Sequence, residues 1–113
     1  MQEKMILENA GQLAELFKNS DLYRDYCAYK EALKNEDTEI SEKITAYKKS
    51  QYELETKRLK NGSVSFEDEK RLAHYYTELS LHKTAGPFLE KEYELLDLYR
   101  KVMDIISDAC EID

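Results

Sequence analysis

The sequence between Asp37 and His82 constrains the fold most, because one short turn separates two apolar stripes of helical spacing. The first stripe, within Thr38–Lys60, advances in steps of four and three residues, which places its side chains on one face of a helix. Asn61-Gly62 then ends this helix, since glycine readily adopts the left-handed conformation of a helix C-terminus. A second stripe runs from Phe66 to about His82. We therefore predict a long antiparallel helical hairpin, with stripes at Ile40, Ile44, Tyr47 and Leu54 and at Leu72, Tyr75, Tyr76 and Leu79.

The residues around both predicted helices are those that favour helix ends. Asp37 or Thr38 caps the outgoing helix and Ser65 caps the returning one, because short polar side chains accept hydrogen bonds from first-turn amides. Acidic residues follow each cap, and Lys57, Arg58 and Lys60 close the outgoing helix. Both placements suit the helix dipole. These signals support the same boundaries as the apolar stripes.

Two further helices are predicted before the hairpin and one after it. They cover Met1–Phe17, about Leu22–Leu33 and about Phe88–Ala109, and the last follows a break at Thr84-Ala85-Gly86-Pro87 where Gly86 can act as a cap. The last helix carries the most apolar stripe of the chain, and we expect this stripe to supply core: Leu89, Leu96, Tyr99, Met103, Ile106 and Cys110. The predicted fold is all-α and bundle-like, with about five helices.

The chain has 113 residues, of which three are glycine and one is proline, so we expect residues 1–113 to form one helical domain. A chain of this length has a modest core. A long hairpin would leave part of its apolar face uncovered, which favours self-association or binding of a partner. We predict a homodimer or higher oligomer in which Ile44, Tyr47 and Leu54 are shared between the core and the dimer interface.

The net charge of −7 disfavours binding to nucleic acid or to an anionic membrane surface, because both need a concentrated basic surface. The basic group Lys57, Arg58 and Lys60 is better explained as a helix end. Cys27 and Cys110 form no Cys-x-x-Cys motif, so reduced thiols are expected. No signal peptide and no membrane span is evident. We therefore expect a cytoplasmic protein.

The sequence offers little that could carry chemistry. A helical carboxylate-bridged metal site uses Glu-x-x-His, whereas Glu78-x-x-x-His82 is one residue longer and occurs once. His74 could accept a phosphoryl group, as in a histidine phosphotransfer domain, but Tyr76 and Thr77 stand where a donor needs space. Three glycines do not make a phosphate-binding loop. We predict no catalytic residue, no metal and no cofactor.

Short motifs follow one another along most of the chain. Gln51-Tyr52-Glu53 lies on the long helix, a glycine turn precedes Val64-Ser65, and Phe88-Leu89 is followed by Glu92 and Leu95. In order and spacing these motifs resemble the YlbF/YmcA family of small helical regulators of Gram-positive bacteria. The remaining matches are Glu67, Leu72, Tyr75, Tyr76, Leu79, Ile105–Ala109 and the upstream segment Ser20–Leu33 with Tyr23, Tyr26, Ala32 and Leu33.

The resemblance implies non-enzymatic regulation by a helical protein that oligomerises. Some members of the family form a complex with two companion proteins that acts on a membrane-associated endoribonuclease and so affects mRNA processing, competence, sporulation and biofilm formation. Some of these complexes hold iron–sulfur clusters, but only Cys27 and Cys110 are present here. Two further departures are Lys91, where the family has Ala, and His82, where Asn is usual.

We therefore predict a regulatory or adaptor protein whose partners are itself, companion proteins and an endoribonuclease. One alternative is a structural or chaperone-like hairpin with no dedicated partner, which would bind unfolded chains broadly and weakly. Another is a phosphotransfer protein acting through His74. The residues predicted to form the interaction surface are Ile44, Tyr47, Tyr52, Leu54, Phe88, Leu89 and Glu92.

Overall fold

The computed structural model describes residues 1–112, which form five helices and no strand. The all-α prediction with five helices is confirmed. The helices divide between two compact units: unit 1 comprises Met1–Ala28 and Glu90–Asp113, and unit 2 comprises Tyr29–Leu89. None of the helices in the described part of the chain is long and apolar enough to cross a membrane. The helices are α1 (Gln2–Lys18), α2 (Asp21–Leu33), α3 (Thr38–Asn61), α4 (Phe66–Ser80) and α5 (Ala85–Cys110).

Unit 2 contains the predicted hairpin. Lys43 near the start of α3 pairs with Glu78 near the end of α4, with 2.6 Å between Nζ and Oε1. Lys57 near the end of α3 pairs with Asp68 near the start of α4 at 3.1 Å. Because each end of one helix meets the opposite end of the other, α3 and α4 are antiparallel.

The predicted caps of the hairpin are confirmed. The Asp37 side chain accepts a hydrogen bond from the Ile40 amide at 3.4 Å, and the Ser65 hydroxyl accepts one from the Asp68 amide at 3.1 Å. Gly62 has φ 78° and donates its amide hydrogen to the Arg58 carbonyl. Only a residue that tolerates positive φ ends α3 in this way without strain.

The core of unit 2 lies between the hairpin and the start of α5. Leu79 is its most buried large side chain, with 2% of its surface exposed. Tyr47 and Tyr76 stack across the hairpin at 5.9 Å between ring centroids, a distance typical of tilted aromatic pairs. The other buried residues are Ile44, Leu54, Thr84, Ala85, Phe88 and Leu89.

The junction between α4 and α5 differs from its prediction. We predicted α4 to reach about His82 and the chain to break at 84–87, but α4 ends at Ser80 and α5 begins at Ala85. Gly86 and Pro87 therefore lie inside the first turn of α5. Proline is tolerated there because first-turn amides have no carbonyl acceptor within the helix, so its lack of an amide hydrogen breaks no helical hydrogen bond. Gly86 is not a cap. A Cβ atom at Gly86 would lie 2.5 Å from the carbonyl oxygen of Ser80, so glycine permits the close approach of the two backbones.

Unit 1 contains α1, most of α2 and most of α5, and neither α1 nor α2 has a buried residue. The prediction that the α5 stripe supplies core is wrong for most of its members. Leu89, which belongs to unit 2, is buried, whereas Met103 and Ile106 are 42% and 47% exposed and Leu96, Tyr99 and Cys110 are also exposed. The physical reason is that α1 and α5 leave an open groove between their apolar faces.

Candidate interaction surface

The α1–α5 groove is an apolar depression of unit 1, with a volume of about 480 Å³. Each helix contributes four side chains at positions i, i+3, i+4 and i+7, the spacing that aligns residues along one helical face. The hydroxyl of Tyr99 is the one polar side-chain group among them. The lining residues are Ala10, Leu13, Ala14 and Phe17 from α1 and Tyr99, Val102, Met103 and Ile106 from α5.

A second apolar cavity of about 170 Å³ continues the groove. It shares Leu13, Phe17 and Val102 with the groove and extends to Leu98 on α5 and Ser20 after α1. The Ser20 hydroxyl donates to the Phe17 carbonyl at 2.7 Å and accepts from the Tyr23 amide at 3.1 Å. Ser20 thus ends α1 and begins α2, and its polar group is satisfied within the backbone.

The net charge of the protein lies entirely on the unit that holds the groove. Unit 1 contains thirteen acidic and six basic side chains, whereas unit 2 contains eleven of each. Asp97 pairs with Lys101 and Arg100, and the hydrogen bond from Lys101 holds the pKa of Asp97 below its ordinary value of 3.8. The last turn of α5 has no basic residue, so its carboxylates add to the negative end of the helix dipole.

Three carboxylates near the groove residues in sequence carry their charge without a partner. Within residues 1–112, Glu8, Asp104 and Asp108 make no ion pair. Asp104 is adjacent to Met103 along α5, and Asp108 follows Ile106 by two positions. At 100° per residue, Asp104 and Asp108 lie on the face of α5 opposite the groove residues, so their charges do not flank the groove.

The seven residues predicted to form an interaction surface differ in how far they are exposed to solvent. Ile44, Leu54, Phe88 and Leu89 are each no more than 8% exposed, in the core of unit 2, so they have little surface left to offer a partner. Tyr47 is half-buried against Tyr76, and Tyr52 is 74% exposed. Ile44 and Phe88 line one cavity of about 310 Å³. Glu92 is half-buried in unit 1.

A polar cluster in unit 2, formed by Glu36, His82 and Thr84, was not predicted from the sequence. The Nδ1 atom of His82 accepts hydrogen bonds from the amides of Thr84 at 3.1 Å and of Ala85 at 3.0 Å. The Thr84 hydroxyl donates to Glu36 Oε1 at 2.8 Å, and His82 Nε2 lies 3.9 Å from Glu36 Oε2. His82 thus caps α5 from outside the helix. The break at Thr84-Ala85-Gly86-Pro87 was predicted from the sequence, but the histidine that caps α5 was not.

The other titratable residues do not converge on a metal site. In the part of the chain that the structure describes, no group of three or more His, Cys, Asp or Glu side chains could hold a metal ion. His74 is exposed on α4. Cys27 and Cys110 are free thiols, and a hydrogen bond with Cys27 raises the pKa of Tyr23 above its ordinary value of 10.0.

The family model described as "Control of competence regulator ComK, YlbF/YmcA" matches residues 6–111, which include every residue of the groove. The chain belongs to the YlbF/YmcA family. This description is that of a regulatory family and names no enzymatic reaction. The resemblance that the sequence motifs indicated is confirmed over nearly the whole chain.

Two UPF0342 proteins are similar to this YlbF/YmcA-family chain. The one from Desulfitobacterium hafniense is 32% identical over 104 residues, which is 92% of this chain and 83% of the relative. The one from Caldicellulosiruptor bescii is 31% identical over 106 residues, which is 94% of this chain and 88% of the relative. No solved structure matches the chain significantly.

Proposed function

We propose that this protein is a non-enzymatic regulator that acts by binding other proteins through the α1–α5 groove of unit 1. The observation that carries the proposal is the groove itself: eight side chains, apolar but for one hydroxyl, open on two helix faces. Exposed apolar surfaces of this kind mark sites of protein–protein interaction. The family description, which concerns control of a competence regulator, supports a regulatory role.

In this proposal the regulated process is mRNA processing, and the protein acts within a complex that controls an endoribonuclease. The negative charge of unit 1 supports action through protein contacts rather than direct contact with RNA, because RNA phosphates would be repelled. Self-association is part of the proposal. A monomeric mass that does not change with concentration in light scattering would contradict self-association.

The test of the proposal replaces one groove residue in the natural host and leaves its neighbour intact as a control. Ile106 and Ile105 are adjacent on α5, but only Ile106 lines the groove. Ile106→Glu places a charge in an apolar site, which is costly once a partner excludes water. Ile105→Glu makes the same chemical change at a position that is 69% exposed.

The measurement is the abundance and processing of cellular transcripts in strains that carry either variant or lack the gene. We expect Ile106→Glu to reproduce the transcript changes of the deletion while the protein accumulates to its normal level. Ile105→Glu should match the unmodified strain. The proposal is wrong if the deletion alters no transcript, or if Ile106→Glu behaves as the unmodified protein does.

A further inference from the structure

A second groove, in unit 2, combines an apolar floor with a basic rim, and we call it the lysine groove. It has a volume of about 310 Å³ and is lined by residues from the end of α2, the first half of α3 and the start of α5. Ile44 and Phe88 are buried in its floor, and Leu33, which is half-buried, adds apolar surface beside them. All three charged side chains among the described lining residues are lysines. The rim consists of Lys30, Lys34 and Lys48 with the hydroxyl-bearing Ser41 and Thr45.

The lysines of this groove hold their charges where a ligand can reach them. Lys30, Lys34 and Lys48 are all exposed. The Nζ atom of Lys48 lies 5.4 Å from the centre of the Phe88 ring, so its charge stands over the apolar floor. Lys34 pairs with Glu31 at 3.0 Å, but the two side chains are 68% and 72% exposed. Such an exposed pair contributes little, so a carboxylate from another molecule can replace Glu31.

Tyr52 extends the same surface along α3. It follows Lys48 by one turn, and at 100° per residue the two side chains lie within about 40° of each other around the helix. Tyr52 is 74% exposed. Tyrosine rings are favoured anchors in protein interfaces, because a large apolar ring carries a hydroxyl that can bond across the interface. From Ser41 to Tyr52 the surface is about 17 Å long at 1.5 Å per residue, enough for three turns of a bound helix.

We infer that the lysine groove and Tyr52 bind an acidic segment of a partner protein, in which carboxylates flank one or two apolar side chains. The carboxylates pair with the lysines, and the apolar side chains cover Leu33 and the Tyr52 ring. A nucleic acid fits this surface less well. Unit 2 has eleven acidic and eleven basic side chains, so a phosphate backbone would meet as many negative as positive charges.

The inference goes beyond the proposed function, because it adds a second binding surface on the other unit. The α1–α5 groove is apolar, whereas the lysine groove is basic at its rim, so the two surfaces select partners of different chemistry. A chain with both surfaces can bind two different proteins.

The test measures binding of three synthetic probes to the full-length chain by fluorescence anisotropy. The first is a peptide of about 12 residues, three helical turns, with two leucines four positions apart and glutamate at most other positions. The second peptide replaces both leucines by serine, and the third probe is a single-stranded RNA of about 12 nucleotides. We expect the leucine peptide to bind at least about fivefold more tightly than either of the others. We also expect its affinity to fall when the salt is raised from about 0.1 M to about 1 M.

Matched variants locate the binding to the lysine groove. Lys30→Gln combined with Lys48→Gln should weaken binding of the leucine peptide by about fivefold or more, since two charge pairs are lost. Lys70→Gln combined with Lys83→Gln makes the same charge change at exposed positions of unit 2 that do not line the groove, and should leave binding unchanged.

A second pair of variants tests the aromatic anchor. Tyr52→Ala should weaken binding of the leucine peptide by about fivefold. Tyr93→Ala is its control, because it removes a ring that is 69% exposed on α5 in unit 1. Ile106→Gln should also leave binding unchanged, since Ile106 lines the α1–α5 groove. All the replaced lysines and tyrosines are exposed, so these variants should fold as the unmodified chain does.

Three results would overturn the inference: no binding of the leucine peptide, RNA binding of equal strength that the lysine variants also weaken, or equal effects of the variants and their controls. Sedimentation velocity adds a fourth, in which the chain forms a dimer that the Lys30 and Lys48 replacements abolish, so that a second copy occupies the lysine groove. If the peptides fail while Ile106→Glu still reproduces the deletion in cells, the proposed function stands and only the acidic partner of unit 2 is excluded.

Discussion

Replacing His82 by alanine removes the acceptor for two amide hydrogens at the start of α5. The amides of Thr84 and Ala85 both donate to His82 Nδ1, at 3.1 Å and 3.0 Å, in a part-buried site. Loss of a helix cap costs about 0.5–2 kcal/mol. Because two donors lose their acceptor and Thr84 is buried, we expect the upper half of this range, about 1–2 kcal/mol.

The assay is thermal and denaturant-induced unfolding followed by circular dichroism. For a chain of this size a loss of about 1–2 kcal/mol lowers the melting temperature by roughly 4–8 °C. His74→Ala is the matched control, because it removes an exposed imidazole from α4 without touching a cap. We expect His74→Ala to change the stability by less than about 0.5 kcal/mol.

A second variant tests the geometry rather than the side-chain volume. In His82→Asn the Oδ1 atom is bonded to Cγ, as Nδ1 is in histidine, so it can accept from the same two amides. We expect His82→Asn to retain most of the stability that His82→Ala loses. The reasoning is refuted if His82→Ala unfolds at the same temperature as the unmodified protein, or if His82→Asn is as unstable as His82→Ala.

Three further predictions concern unit 2 and α1. Gly86→Ala should lower the free energy of unfolding by about 1–3 kcal/mol, because the new Cβ would collide with the Ser80 carbonyl. Gly11→Ala should raise it by up to about 1 kcal/mol, because a Cβ at this helical position meets nothing within 4 Å. Equal unfolding midpoints of the two variants in urea would contradict both expectations. Leu79→Ala should lower the free energy of unfolding by about 2–5 kcal/mol in the same assay, because Leu79 is buried. If this loss is smaller than the loss caused by replacing an exposed leucine with alanine, Leu79 does not belong to the core. The hydrogen bond from Lys43 lowers the pKa of Glu78 below 4.5, so the stability from this group is present above pH 4.5 and is lost as the pH falls through the lowered value. Glu78→Gln should therefore lose less stability between pH about 7 and about 3 than the unmodified protein, and an identical acid dependence would contradict the pairing.

The hairpin could be predicted from the sequence because its signals are local. Ser65 and Gly62 act on amides and carbonyls within four residues of themselves, and the structure places both as predicted. The stripes of α3 and α4 face each other, so Ile44, Leu54 and Leu79 are buried. Here the cap, the turn and the apolar spacing all depend on neighbouring residues, and each supports the others.

The stripe of α5 could not be interpreted in the same way. The spacing of Leu96, Tyr99 and Ile106 shows that they share a face, but spacing does not show what covers that face. Burial requires a second element at packing distance, and α1 lines an open groove instead.

The role of His82 was missed for a related reason. A cap supplied from three positions before the first helical residue depends on the exact end of α4, and helix ends are the least predictable part of a sequence.

The concentration of charge on unit 1 has a consequence for colloidal behaviour. An apolar groove open to solvent favours non-specific aggregation, which the net negative charge of unit 1 opposes. This protection depends on ionisation and vanishes as the medium approaches the isoelectric point, near pH 4.9. The carboxylates of unit 1 therefore protect the protein against precipitation, and neutralising them should cause it to precipitate.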